Sequence, residues 1–154
     1  MDLNNVLSNY DLKNFVLQNP FLRFHFKGLY YLYDFDFSTL SEGTFAILFN
    51  SQGKEIGHWT VAFLNNNQIE YYDSCGESFN KKPLLLSKIL SQYNIKSISF
   101  NTQLVNSYMC GYFVLFFIIN RIIFLDKDYE DVLKLIFVKN TQINNQRVKL
   151  FFSI

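Results

Sequence analysis

Cysteine is scarce in this chain of 154 residues, occurring only at Cys75 and Cys110. Two cysteines do not make a disulfide framework, and the start Met1-Asp-Leu-Asn-Asn lacks the basic and apolar regions of a signal peptide. A reducing, intracellular setting without secretion is expected. Long apolar runs are also missing. The most apolar stretch, residues 112–125, is interrupted by Asn120 and Arg121 and falls short of the about 20 apolar residues that span a bilayer. It reads as a core helix, with no membrane partner. Charge of one sign is lacking too: 14 basic and 13 acidic residues give a formal net charge of +1, so no broad field points to nucleic acid, and that partner stays open. Glycine is sparse, and its six residues form no phosphate-cradling loop. No internal repeat or low-complexity linker divides the chain. What is abundant is apolar material, 49% hydrophobic and 19% aromatic, enough for one domain over residues 1–154 with a real core, expected as a monomer.

Along the chain, Leu12, Phe15, Val16 and Leu17 lie at near-helical spacing, with Asn9 or Asp11 as a start signal and Pro20 as a stop. Residues 21–37 read as an irregular, strand-like stretch around Gly28, with Asp34 and Asp36 on a solvated loop and His25 as a structural or surface histidine. Residues 44–49 read as a buried strand, followed by a turn over residues 50–53. Residues 57–64 and 68–72 add two strands, joined by a turn at Asn65-Asn-Asn67, so the three form an antiparallel meander. Pro83 opens a helix running through Ile89 and Leu90, and residues 95–100 give a short strand. After the apolar run, Asp128 starts another helix, and residues 144–154 make a last helix or a strand. The expected class is α+β: a central mixed, mainly antiparallel sheet flanked by helices.

The stretch Gln103-Leu-Val-Asn-Ser-Tyr-Met-Cys110-Gly111 places a thiol at the start of the buried helix. The first N–H groups of a helix lack internal partners and carry the positive end of its dipole, which biases such a thiol toward thiolate. The plainer reading is a small buried cysteine capping a core helix. A thiolate nucleophile needs a base, a group to orient that base, and donors for the oxyanion that forms on the attacked carbonyl. His58 opens one strand of the meander and Asp73 follows the end of the next, so the hairpin can bring them together. Gln103 stands in a loop that could fold its amide over the thiol. Taken singly, His58-Trp59 is a strand terminus and Asp73-Ser74 a turn; together they occur in the order that a Cys-His-Asp mechanism requires. No further ligands accompany the cysteine-histidine pair, so a zinc site is not expected.

Gly57-His58-Trp59, then Tyr72-Asp73-Ser74-x-Gly76, then Gln103-x6-Cys110-Gly111-Tyr112-Phe113 resemble the adenain family of viral cysteine proteases, in the same clan as the SUMO-specific proteases. Asp11-Leu-Lys-Asn-Phe-Val, Gly28, and Ala46-Ile-Leu-Phe-Asn50 leading through Gly53-Lys-Glu55 extend the resemblance over roughly residues 10 to 120. It implies a nucleophile at the N-terminus of a buried central helix, with Cys110 as nucleophile, His58 as base and acid, and Asp73 holding the ring. Gln103 and the Cys110 backbone N–H would form the oxyanion hole, and Trp59 would border a narrow substrate cleft. The implied activity is cleavage of capsid or core precursors during virion maturation, after small residues such as glycine, in the virion or the infected-cell interior. A protease acting on host ubiquitin-like or SUMO-type conjugates is the alternative enzyme, and an idle virion scaffold the alternative of another class. The partners are then polypeptide substrates. No cofactor is required by the sequence. No cysteine lies between Cys75 and Cys110 to tether a peptide activator by a disulfide, a peptide or DNA activator stays open but is not indicated, and Cys75 is expected to be a passive thiol.

Overall fold

In a computed structural model, residues 6–51, 57–89 and 92–153 are described. The turn expected at residues 50–53, the Gly53-Lys-Glu55 segment of the resemblance and Leu90 fall partly or wholly outside them.

The chain opens with helix α1 (Asn9–Gln18), whose N-cap is Ser8. The Ser8 hydroxyl accepts from the Asp11 backbone N–H at 3.2 Å and the Asp11 carboxylate accepts from the Ser8 N–H at 2.9 Å, a reciprocal capping box. Asp11 is therefore part of the start signal, three residues inside it. Pro20 ends α1 as expected, but it also begins α2 (Pro20–His25), where its missing N–H costs nothing and the Asn19 side chain caps the next amides. Residues 21–25 of the stretch read as strand-like are thus helical. His25 is structural: its Nδ1 pairs with the Gly43 carbonyl at 2.6 Å.

Five strands follow, β1 (Phe26–Tyr31), β2 (Phe45–Asn50), β3 (His58–Asn65), β4 (Gln68–Tyr72) and β5 (Asn94–Ser97), in the spatial order of the sequence. The meander β2-β3-β4 is antiparallel as expected. Its second turn places Asn66 and Asn67 at φ of 53° and 56°, the left-handed pair that a tight hairpin needs and asparagine tolerates. Both outer pairings, β1 with β2 and β4 with β5, are parallel. The sheet is therefore mixed in equal measure rather than mainly antiparallel. A parallel neighbour needs a crossover, and the chain supplies two. Residues 32–44 cross with a 3₁₀ turn at Phe37–Thr39, and residues 73–93 cross with another at Phe79–Lys81 and helix α3 (Pro83–Ile89).

Alternation along the strands sends Ile47, Val61, Phe63 and Tyr72 to one face and Ala46, Leu48, Ala62, Leu64, Ile69 and Tyr71 to the other. The second face is covered by the crossovers and α3. Against the first lie α1, α4 (Cys110–Ile123), α5 (Tyr129–Ile136) and α6 (Thr141–Phe152). The segment expected as a last helix or a strand is a helix beginning at Thr141. Helix α4 is buried almost all round, including Arg121. Arg121 meets the equally buried Glu70 of β4 through Nε and, at 2.8 Å, through Nη2, while Nη1 donates to the Phe124 carbonyl at 2.7 Å. The interruption in the apolar run is thus the bolt between the central helix and the sheet. None of the helices described is long and apolar enough to cross a membrane.

Candidate active site

Register fixes the first pair. His58 is the first residue of β3, Val61 lies opposite Tyr72, and Asp73 leaves β4 one residue later, so both side chains emerge at the same end of the sheet. His58 Nε2 and Asp73 Oδ1 are 2.7 Å apart. Gly57 lets β3 start there, because a Cβ at that position would lie 1.9 Å from the Phe49 ring. Asp73 is 1% exposed, and the same Oδ1 accepts from the Cys75 backbone N–H at 2.8 Å. Among the described residues, its buried Oδ2 has no hydrogen-bond partner.

Cys110 is the first residue of α4, after an N-cap Met109 whose side chain makes no capping bond. The open helix start is thus free to face a negative sulfur. Burial by itself would favour the neutral His58 ring, but hydrogen bonds to Asp73, the Cys110 thiol and Cys75, with the Asp73 charge, outweigh it and push the ring up to about 12. Burial likewise favours the neutral thiol at Cys110. There the His58 hydrogen bond and charge, followed by the backbone N–H groups of Trp59 and Gly111, prevail and hold it below its ordinary value. Both shifts favour the charged thiolate-imidazolium form of the pair over the neutral one.

Gln103 is buried in the loop before α4. Its Oε1 accepts from the Ser74 hydroxyl at 2.7 Å and its Nε2 donates to the Ser107 carbonyl. Ser74 also receives the backbone N–H groups of Thr102 and Gln103 on its carbonyl, at 2.9 and 3.0 Å. From behind, α6 holds the loop: Asn144 Nδ2 donates to the Thr102 carbonyl at 3.0 Å, and Asn145 Oδ1 accepts from the Leu104 N–H at 2.9 Å. The roles of Ser74, Asn144 and Asn145 escape sequence reasoning, because a polar residue in a turn or a tail carries no mark of being buried.

Trp59 is placed differently from the other site residues. Its ring is 4% exposed, packs on Phe49 with centroids 4.9 Å apart, and donates Nε1–H to the Leu7 carbonyl at 3.1 Å. Leu7 also lies over Gly111, where an added Cβ would come within 3.0 Å of it. Trp59 borders a small pocket with Tyr31 and Phe49, while a cleft of about 530 Å³ beside His58 is bordered by Asn50, Asp73, Cys75, Lys81 and Asn101. Cys75 is exposed there.

Among the described residues, His58, Asp73 and Cys75 make a group whose donor atoms all lie within 4.8 Å of one another. Two donors on one tetrahedral zinc, each bonded at about 2.0–2.2 Å, stand roughly 3.3 Å apart. The 2.7 Å between His58 and Asp73 is the spacing of a shared proton, so the group fits a hydrogen-bonded pair and not a zinc site.

No protein-family model matches the chain, and no curated protein matches it in sequence. Solved structures do match. Two crystal structures of the ASFV pS273R protease superpose with a TM-score of 0.55, at 15% and 14% identity, over 96% of this chain and 69% and 68% of that one. The SUMO protease Ulp1, in a complex of its C-terminal protease domain with Smt3, the yeast ortholog of SUMO, aligns with a TM-score of 0.38 at 18% identity, over 71% of this chain and 52% of that one. The pS273R likeness shows that this chain shares the fold of that protease.

Proposed function

We propose that this chain, built on the fold of the ASFV pS273R protease, is a cysteine endopeptidase that trims capsid or core precursors during virion maturation, after small residues such as glycine. The observation that carries the reading is the 2.7 Å His58-Asp73 pair, with the lowered Cys110 thiol beside it at an uncapped helix start. With Nε2 given to Asp73, the ring has Nδ1 left for the sulfur.

In this mechanism the Cys110 thiolate adds to the scissile carbonyl carbon, and the carbonyl π electrons move onto oxygen. The Cys110 backbone N–H and the second Gln103 Nε2–H receive that oxyanion. His58 gives its proton to the leaving nitrogen as the C–N bond breaks, releasing an amine and a thioester on Cys110. It then takes a proton from water, whose oxygen displaces the sulfur, and the acid product leaves with thiolate and imidazolium restored. Asp73 holds the ring through both steps.

The test is co-expression of the chain, wild type and Cys110→Ala, with the capsid proteins of its own genome, reading new N-termini by mass spectrometry. New ends following Gly or Ala with the wild type alone support the reading. Equal cleavage by the Cys110→Ala protein ends it.

A further inference from the structure

The Gln103 carboxamide has two faces that look alike in shape, and only its neighbours decide which carries nitrogen. One neighbour is the Ser107 carbonyl, which can only accept, so Nε2 must lie on that side. Oε1 then faces Ser74 Oγ at 2.7 Å, and the Ser74 hydroxyl must spend its single proton on it. Ser74 is 0% exposed and Gln103 4%, so water does not readily replace either bond. Ser74 is also the residue directly after Asp73, and its carbonyl receives the Thr102 and Gln103 amides. One residue therefore ties the turn that carries the carboxylate to the loop that carries the amide.

We infer that Ser74 is a positioning residue for turnover: its hydroxyl locks the Gln103 amide so that the second Nε2–H points at the carbonyl oxygen being attacked by Cys110. The inference rests on the protease reading above. Without the hydroxyl, Oε1 is buried and unmet, and the amide tilts to relieve it. The donor then meets the oxyanion off its line, while the His58-Asp73-Cys110 pairings stay intact.

The experiment compares wild type, Ser74→Ala, Gln103→Ala and the double variant on a fluorogenic peptide ending in Gly-Gly-aminomethylcoumarin, beside alkylation of Cys110 by iodoacetamide. Alkylation needs the thiolate but no oxyanion donor. Gln103→Ala is expected to lower kcat by about 10²–10³. Ser74→Ala lowers it by about tenfold or more, within that limit, with KM unchanged. In the Gln103→Ala background it costs nothing further, because it acts through the amide. Its alkylation rate and pH profile match wild type. Unchanged kcat in Ser74→Ala, a loss that persists in the double variant, or alkylation slowed in step with kcat each overturns the inference, the last by showing that Ser74 acts through Asp73. A wild type without any Cys110-dependent hydrolysis instead takes down the protease reading and this inference together.

Discussion

Replacing Arg121 by methionine removes the cation but keeps an apolar stem of similar reach in helix α4. Three hydrogen bonds are lost, two to Glu70 and one to the Phe124 carbonyl, along with the guanidinium placed 5.5 Å over the Phe63 ring. Arg121 and Glu70 are each 1% exposed, so solvent does little to repay the loss. Breaking such a buried pair costs about 3–5 kcal/mol, on the order of 10 °C in Tm for a chain of this size. The cost should depend on pH. Burial already raises the Glu70 carboxyl above its ordinary value, against the downward pull of Arg121. Without Arg121 the folded-state value rises further, while the unfolded value stays near about 4.3. Below that pH Glu70 is protonated in both states, and only the hydrogen bonds are missing. As pH climbs from there toward the raised folded value, the native chain holds a proton that the unfolded chain releases, and stability falls by about 1.4 kcal/mol per pH unit. Wild type follows the same slope up to its own raised Glu70 value, so thermal melts of wild type and Arg121→Met, followed by circular dichroism, should show a deficit that starts to widen above that value and grows toward neutral pH. Glu70→Gln combined with Arg121→Met should close much of the neutral-pH gap. A deficit that is flat with pH, or a double variant as unstable as the single one, refutes the reasoning.

The thiol at Cys110 should react with iodoacetamide below the ordinary thiol value of about 8.5, because His58 and the helix start lower it. Thiolate is lost only as pH falls through that lowered value, and Asp73→Asn should move the acid limb upward; a wild-type limb at or above the ordinary value would contradict the ion pair. Gly76→Ala should destabilise the turn after Asp73, since Gly76 sits at φ +73° and a Cβ would fall 2.5 Å from the Phe100 carbonyl carbon. The left-handed backbone alone costs roughly 1–2 kcal/mol, and an unchanged melt would show that the turn has slack.

The meander is legible because its strands are short apolar runs bounded by turn residues, and the turn between its last two strands is written in asparagines. From that hairpin alone His58 and Asp73 could be placed side by side. The parallel outer strands are not legible, because their direction depends on crossovers packed by Phe35, Phe37, Phe79 and Leu85, whose partners lie far away in sequence. Pro20 shows in the sequence as an end and not as a beginning, because one proline serves both helices. The position of Gln103 before Cys110 was visible, but not the Ser74 and Ser107 bonds that orient it. Nor did the sequence reveal Leu7 over Trp59, a contact across 52 positions.

That contact makes the protein its own optical probe. Trp59 is the only tryptophan in the chain, it directly follows His58, and its backbone N–H reaches the Cys110 sulfur. With the indole shielded and its N–H held by Leu7, emission should lie to the blue of free tryptophan. Any event that lifts residues 6–8 from the start of α4 should move the spectrum to the red before the sheet itself comes apart.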